Sequence, residues 1–117
     1  MYSIGTDIIN TLRIKKLLSE NGNNFLNKIF TKQEIIYCNS NSEPYIHLSG
    51  KYAAKEAVKK ALLSRNIVES ISLKDIQILN NSDKSPYVKV NSVDDLNYNI
   101  SISHDKDYAI AFALIEI

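Results

Sequence analysis

The segment from Leu48 to Leu63 constrains the fold more than any other, because its apolar residues fit a single structural period. Ala53, Ala54, Ala57, Val58 and Ala61 fall on one side at about 100° per residue, the signature of a helix with one apolar face. In the same projection Lys51, Lys55 and Lys59 form a polar stripe, while Glu56 and Lys60 stand at the opposite margin of the apolar face. Beyond residue 70 the period changes to two. Ile76 with Ile78, Val88 with Val90, Ile100 with Ile102, and the run from Tyr108 to Ile117 predict four strands. Between the last two, His104-Asp105-Lys106-Asp107 is a polar break suited to a hairpin turn. The final strand is apolar on both sides, with Ala109, Ala111 and Ala113 making one side small enough for close packing.

Before the long helix the chain reads as strand, helix, helix, loop. Residues 2 to 9 are expected to form a buried first strand, with Tyr2, Ile4, Thr6 and Ile8 on one face and Ser3, Gly5, Asp7 and Ile9 on the other. Around 11 to 20, Leu12, Leu17 and Leu18 alternate with Arg13, Lys15 and Lys16, which predicts an amphipathic helix with a basic face, ending at the Asn/Gly stretch of 21 to 24. Thr31-Lys32-Gln33-Glu34 has the spacing of a capping box, so a helix over about 32 to 39 follows. Asn39 to Pro44 is a polar loop, too short to link two domains. With no repeat and no low-complexity tract, residues 1–117 are expected to be one α/β domain.

Composition removes several function classes. Cys38 is the only cysteine, so neither a disulfide framework nor a cysteine-rich zinc site can form within the chain, which points to a reducing, cytoplasmic setting. No basic stretch precedes a long apolar run, and nothing approaches the roughly 20 apolar residues of a membrane span, so a soluble, untargeted protein is expected. The net charge of +1, from 14 basic and 13 acidic residues, gives no overall field for nucleic acid, so anion binding must come from local clusters. A chain of 117 residues buries a modest share of its surface, which favours self-association.

Asp7 is the first candidate for chemistry, since a carboxylate in an otherwise uncharged strand requires a cation, a cluster of N–H groups or a proton. Glu56 is weaker on spacing alone, because a Glu56/Lys60 surface pair at i,i+4 is worth only ~0.3 kcal/mol. Should the helix pack on the first strand, the two acids could come close, and at ~4 Å with an effective dielectric of 20 they would repel by about 4 kcal/mol. A divalent metal removes that repulsion. An oxygen-only donor set favours Mg²⁺, whereas zinc lacks enough cysteine and histidine here. His104 follows Ile100-Ser101-Ile102-Ser103 at a strand end, where a lone histidine is ordinarily structural or solvated. Lys51, Lys55, Lys59 and Lys60 read either as a solvated face or as point charges for phosphate oxygens.

Four separated motifs carry a resemblance over nearly the whole chain, with residues 64 to 95 matching loosely. They are Ile4-Gly5-Thr6-Asp7-Ile8; Ile29-Phe30-Thr31-Lys32-Gln33-Glu34 with Tyr37-Cys38; Tyr52-Ala53-Ala54-Lys55-Glu56-Ala57; and Ser101-Ile102-Ser103-His104 with Tyr108-Ala109. In these the sequence resembles the holo-acyl-carrier-protein synthase family of phosphopantetheinyl transferases. The resemblance implies an α+β fold, mainly an antiparallel sheet packed on a long central helix, assembled as a homotrimer with coenzyme pockets between neighbours. It implies that Asp7 and Glu56 bind Mg²⁺ and serve the chemistry, and that Lys60 and His104 help hold the phosphates of coenzyme A, with Lys55 and Lys51 as further candidates. The serine hydroxyl of an acyl carrier protein would attack the β-phosphate, adenosine 3′,5′-bisphosphate would leave, and Glu56 or a metal-bound water would take the proton. Arg13 matches a docking position for the acidic carrier, and Lys16 and Lys28 join it on charge and proximity.

Three departures from the family pattern stand out. Lys51 replaces a common arginine, which removes bidentate phosphate binding; Leu63-Ser64-Arg65 replaces a glycine-rich turn; and Lys84-Ser85-Pro86 lacks a usual glycine. Two rival readings use the same residues. A non-catalytic trimeric module for a nucleotide or an acidic protein would use the lysine stripe alone. An RNA-binding domain would need exposed aromatics, whereas Tyr87, Tyr98 and Tyr108 are expected to pack.

Overall fold

The first and last strands of the chain lie side by side. In a computed structural model describing residues 1–117, β1 (Tyr2–Asn10) runs antiparallel to β5 (Tyr108–Glu116), and β5 also pairs with β4 (Asn97–His104), so the sheet order is β1-β5-β4. A separate antiparallel hairpin consists of β2 (Ile76–Asn80) and β3 (Pro86–Val90). Three helices, α1 (Thr11–Ile29), α2 (Lys32–Asn39) and α3 (Pro44–Ser64), fill the sequence between β1 and this hairpin. The arrangement is α+β, with α3 packed across the three-stranded sheet.

Small residues on both partners set the depth of that packing. Ala53, Ala54, Ala57 and Ala61 of α3 and Ala109, Ala111 and Ala113 of β5 are buried together. At Gly5 of β1 a Cβ would lie 2.0 Å from the Ala57 carbonyl oxygen and 2.9 Å from the Ala61 amide nitrogen, so only glycine lets strand and helix backbones approach this closely. Ser3, two residues earlier on the same face, donates its hydroxyl hydrogen bond to the Ala61 carbonyl. This contact fixes α3 along β1 and therefore fixes where Asp7 meets the helix.

The turns explain two of the departures. α3 ends in a Schellman closure: Asn66 adopts φ 55°, its amide bonds to Leu63 O at 3.1 Å, and the Ile67 amide bonds to Leu62 O at 3.0 Å. Asn66 thus takes the left-handed position that a glycine usually holds. In the β2–β3 turn the left-handed residue is Lys84 at φ 73°, held by Lys84 N–H to Asn81 O at 2.9 Å and by Asn80 Nδ2 donating to Lys84 O at 2.9 Å. A non-glycine residue in that region costs on the order of 1 kcal/mol.

Several expectations need correction. α1 does break at the expected Asn/Gly stretch, where Gly22 is non-helical at φ 49° and ψ -122°, but a second helical segment follows to Ile29 and lays Phe25, Leu26 and Ile29 onto the core. α3 begins four residues before Leu48, with Pro44 in its first turn, where a missing N–H costs nothing. β1 is buried on one face only: Tyr2, Ile4 and Ile8, with Tyr108, Ile110 and Phe112 of β5, are between 43% and 64% exposed. Tyr87 is likewise exposed rather than packed, whereas Tyr98 is half-buried and donates its hydroxyl to Val93 O. No helix is long and apolar enough to cross a membrane.

Candidate active site

Asp7 shares the α3-facing side of β1 with Gly5, and Lys60 reaches it from the helix. The Lys60 ammonium lies 3.1 Å from Asp7 Oδ1 and donates to Thr6 O at 3.0 Å. The cation beside Asp7 in this structure is Lys60, and the ion pair suggested by i,i+4 spacing, Glu56 with Lys60, is not formed. Asp7 keeps 17% of its side chain exposed and Lys60 keeps 55%, so the pair is open to solvent and to a ligand. Tyr52, Glu56 and Lys60 follow one another at i, i+4 and i+8 along the same helix face. Burial pushes the Tyr52 hydroxyl above its ordinary pKa, the Glu56 charge adds to this, Arg13 opposes it, and Asp7 adds a further upward push. Both acids therefore add to the same upward push on Tyr52.

A second group of residues surrounds a cavity of about 290 Å³ between α3, the β2–β3 turn and the end of β4. His47 and Lys51 of α3, Lys84 of the turn and His104 of β4 line it, and no carboxylate does. The His47 and His104 rings meet edge-on, with centroids 5.4 Å apart at 76°. Gly50 forms the floor, where a Cβ would lie 3.1 Å from Ile102 Cγ2 and 3.7 Å from His104 Cδ2. The structure thus places His104 with Lys51, apart from the Asp7–Lys60 pair, with β5 between their strands. Sequence reasoning missed His47 and Lys84. His47 carries no signal of its own in the sequence; Lys84 has one, its place in the Lys84-Ser85-Pro86 segment that departs from the family pattern.

The expected stripe of Lys51, Lys55 and Lys59 is not a solvent face. Lys55 is fully buried, 2.8 Å from Glu34 Oε1, and donates to Leu73 O at 3.0 Å and Ile76 O at 2.6 Å, which uses all three of its N–H groups. Lys51 donates to Ile78 O and to Asn80 Oδ1 at 2.6 Å, with its ammonium 4.7 Å over the Tyr37 ring. Burial lowers the pKa of both lysines. Glu34 completes the network: one oxygen accepts from the Thr31 amide in the observed capping box, and the other accepts from Ile78 N–H at 2.9 Å. Lys55 is thus a tie between α2, α3 and β2, with no donor left for a phosphate. On α1, Arg13, Lys16 and Lys28 are all exposed.

A helix that carries an acid and packs on a strand with a single acid, together with a separate carboxylate-free basic cavity, suits an enzyme that handles phosphorylated substrates. The family described as the 4′-phosphopantetheinyl transferase superfamily matches residues 3–113, and the chain belongs to it. It is 46% identical over 112 residues to the holo-[acyl-carrier-protein] synthase of Thermodesulfovibrio yellowstonii, covering 96% of each chain. The Protochlamydia amoebophila holo-[acyl-carrier-protein] synthase is 43% identical over 116 residues, covering 95% of this chain and 94% of that one. The crystal structure of Helicobacter pylori holo-[acyl-carrier-protein] synthase in complex with coenzyme A superposes with a TM-score of 0.84 at 29% identity, over 97% of this chain and 99% of that one.

Proposed function

We propose that Asp7 and Glu56 are the reacting centre at which this chain transfers the 4′-phosphopantetheine group of coenzyme A to a serine of apo-acyl carrier protein. The transfer is the activity its family and relatives carry. The serine oxygen attacks the β-phosphate, the bond from that phosphorus to the bridging oxygen breaks, and adenosine 3′,5′-bisphosphate leaves. Asp7 is already paired with Lys60, whereas Glu56 has no ion-pair partner, so Glu56 is the carboxylate free to take the serine proton.

The donor set fits magnesium. Asp7 and Glu56 offer oxygen donors only, from two side chains. Mg²⁺ is commonly bound this way, by one or two carboxylates with substrate phosphates and water. When bound by Asp7 and Glu56 it supplies neutralisation of charge on the diphosphate. Lys60, with one N–H still free, and His104 hold phosphate oxygens, and Lys51 and Lys84 contribute charge from the cavity wall.

Two further elements complete the reading. The apolar outer face of β1 and β5 supports assembly as a homotrimer, and the placement of Asp7 and His104 on different edge strands supports pockets completed by a neighbour. The exposed Arg13, Lys16 and Lys28 form a basic face for the acidic carrier protein. A cytoplasmic setting suits Cys38, whose buried thiol is pushed up to about 12 and is inert.

The observation that carries the assignment is the seating of Asp7 against the Tyr52-Glu56-Lys60 face. Its test is calorimetric binding of adenosine 3′,5′-bisphosphate and coenzyme A with and without Mg²⁺. Wild-type protein should bind coenzyme A more tightly with the ion, and Asp7→Asn and Glu56→Gln should each lose that gain while remaining folded. Variants that keep the full gain would contradict the metal assignment and favour a lysine-based binding module.

A further inference from the structure

We propose that His47 is a positioning residue: its ring, packed edge-to-face with the His104 imidazole, fixes that imidazole at the basic cavity so that His104 faces the phosphate of a bound coenzyme. The inference rests on the reading of His104 as a phosphate-holding side chain.

His104 is the last residue of β4 and is exposed, so its ring needs an external restraint to hold one orientation. Two contacts supply it. The His47 ring stands edge-on at 5.4 Å and 76°, and the backbone at Gly50 lies close enough that an added Cβ would be 3.7 Å from His104 Cδ2. Both contacts come from one turn of α3, so His104 is held by the same rigid helix that carries Glu56. Edge-to-face packing is directional, and losing it frees the ring to sample other rotamers.

Charge makes the arrangement sensitive to the ligand. The groups facing the two imidazoles are Lys51 on α3, Lys84 on the β2–β3 turn, Tyr37 on α2, and Asp105 just beyond His104. Burial lowers the pKa of His47, and His104, Lys51 and Lys84 lower it further. An empty cavity therefore favours a neutral His47. A phosphate group brings the negative charge that the cavity lining lacks, so its binding should draw a proton onto His47. Affinity should accordingly rise as pH falls through the histidine range, and fall as pH rises through it.

Three variants and one ligand test this. Adenosine 3′,5′-bisphosphate is titrated calorimetrically into wild-type, His47→Ala, His47→Phe and His104→Ala protein from about pH 5.5 to 8, in buffers of different ionisation enthalpy, with folding checked by circular dichroism. His47→Ala is expected to weaken binding about 3- to 10-fold and to reduce proton uptake. His47→Phe keeps an aromatic edge, so affinity at neutral pH should return to within about 2-fold of wild type, while the rise in acid stays flattened. In turnover assays the loss in His47→Ala should appear in KM for coenzyme A more than in kcat.

Wild-type affinity and pH slope in a folded His47→Ala protein, with binding lost in His104→Ala, would overturn the role of His47 and leave the phosphate site standing. Failure of His47→Phe to recover affinity would also overturn positioning, because the imidazole itself would then be needed. Unchanged binding in His104→Ala would remove the underlying reading of the site, and this inference with it.

Discussion

Lys55 and Glu56 are adjacent in the chain, yet their charged groups occupy different surroundings. Lys55 points into the core and closes a network with Glu34, Leu73 O and Ile76 O in which every donor is used. Glu56 lies on the helix face shared with Tyr52 and Lys60, and the Asp7 that Lys60 reaches is still partly open to solvent. One helix thus carries a finished set of charges and an unfinished set, 100° apart in projection. A closed network can only hold the fold together, because any ligand would have to displace a bond already made. An open one can bind and react, because its valences await a substrate.

Three substitutions break this contrast in order of expected effect. Glu56→Gln should leave a folded protein whose kcat falls about 10²- to 10⁴-fold, the usual loss when a positioned proton acceptor is removed. Stopped assays of carrier modification measure it, and a loss of fold instead of rate would place Glu56 in the structural set. Lys55→Met should do the reverse. It strands the Glu34 carboxylate in the core and should cost about 3–5 kcal/mol in urea unfolding, while the surviving folded fraction turns over normally. Gly5→Ala lies between the two regions. Its methyl would meet the Ala57 carbonyl, so about 1–3 kcal/mol of stability should be lost, and the shift of α3 should also lower the rate by moving Glu56 relative to Asp7.

The same contrast explains what could be read from the sequence. The alanine face of α3, the two-residue period after residue 70 and the capping box at Thr31 are local patterns, and the structure contains all three. Asp7 was legible as an isolated charge in a strand that needs a cation, and the structure supplies one in Lys60. Lys51 and Lys55 were read as a solvated face or as charges for phosphate oxygens, neither of which foresees their burial, because their partners lie in α2 and β2 and no periodicity on α3 can announce a Glu34 that arrives from elsewhere in the chain. The outer face of β1 was misread for the opposite reason: its apolar pattern signals burial without saying whether the same chain or a neighbour provides it. Asn66 and Lys84 show a third limit, since each holds a left-handed position that pattern reading assigns to glycine.

Of all measurements, the intact mass of an apo-acyl carrier protein after incubation with this protein, coenzyme A and Mg²⁺ bears most directly on the account. Wild-type and Lys60→Met proteins, compared at equal folded concentration with Glu56→Gln, should separate cleanly: wild type converts the carrier to a species heavier by one phosphopantetheine, Lys60→Met does so more slowly, and Glu56→Gln leaves it almost unmodified. A carrier that stays at its apo mass with folded wild-type protein, or that is converted equally fast by Glu56→Gln, would contradict the placement of the reaction at the open face of α3.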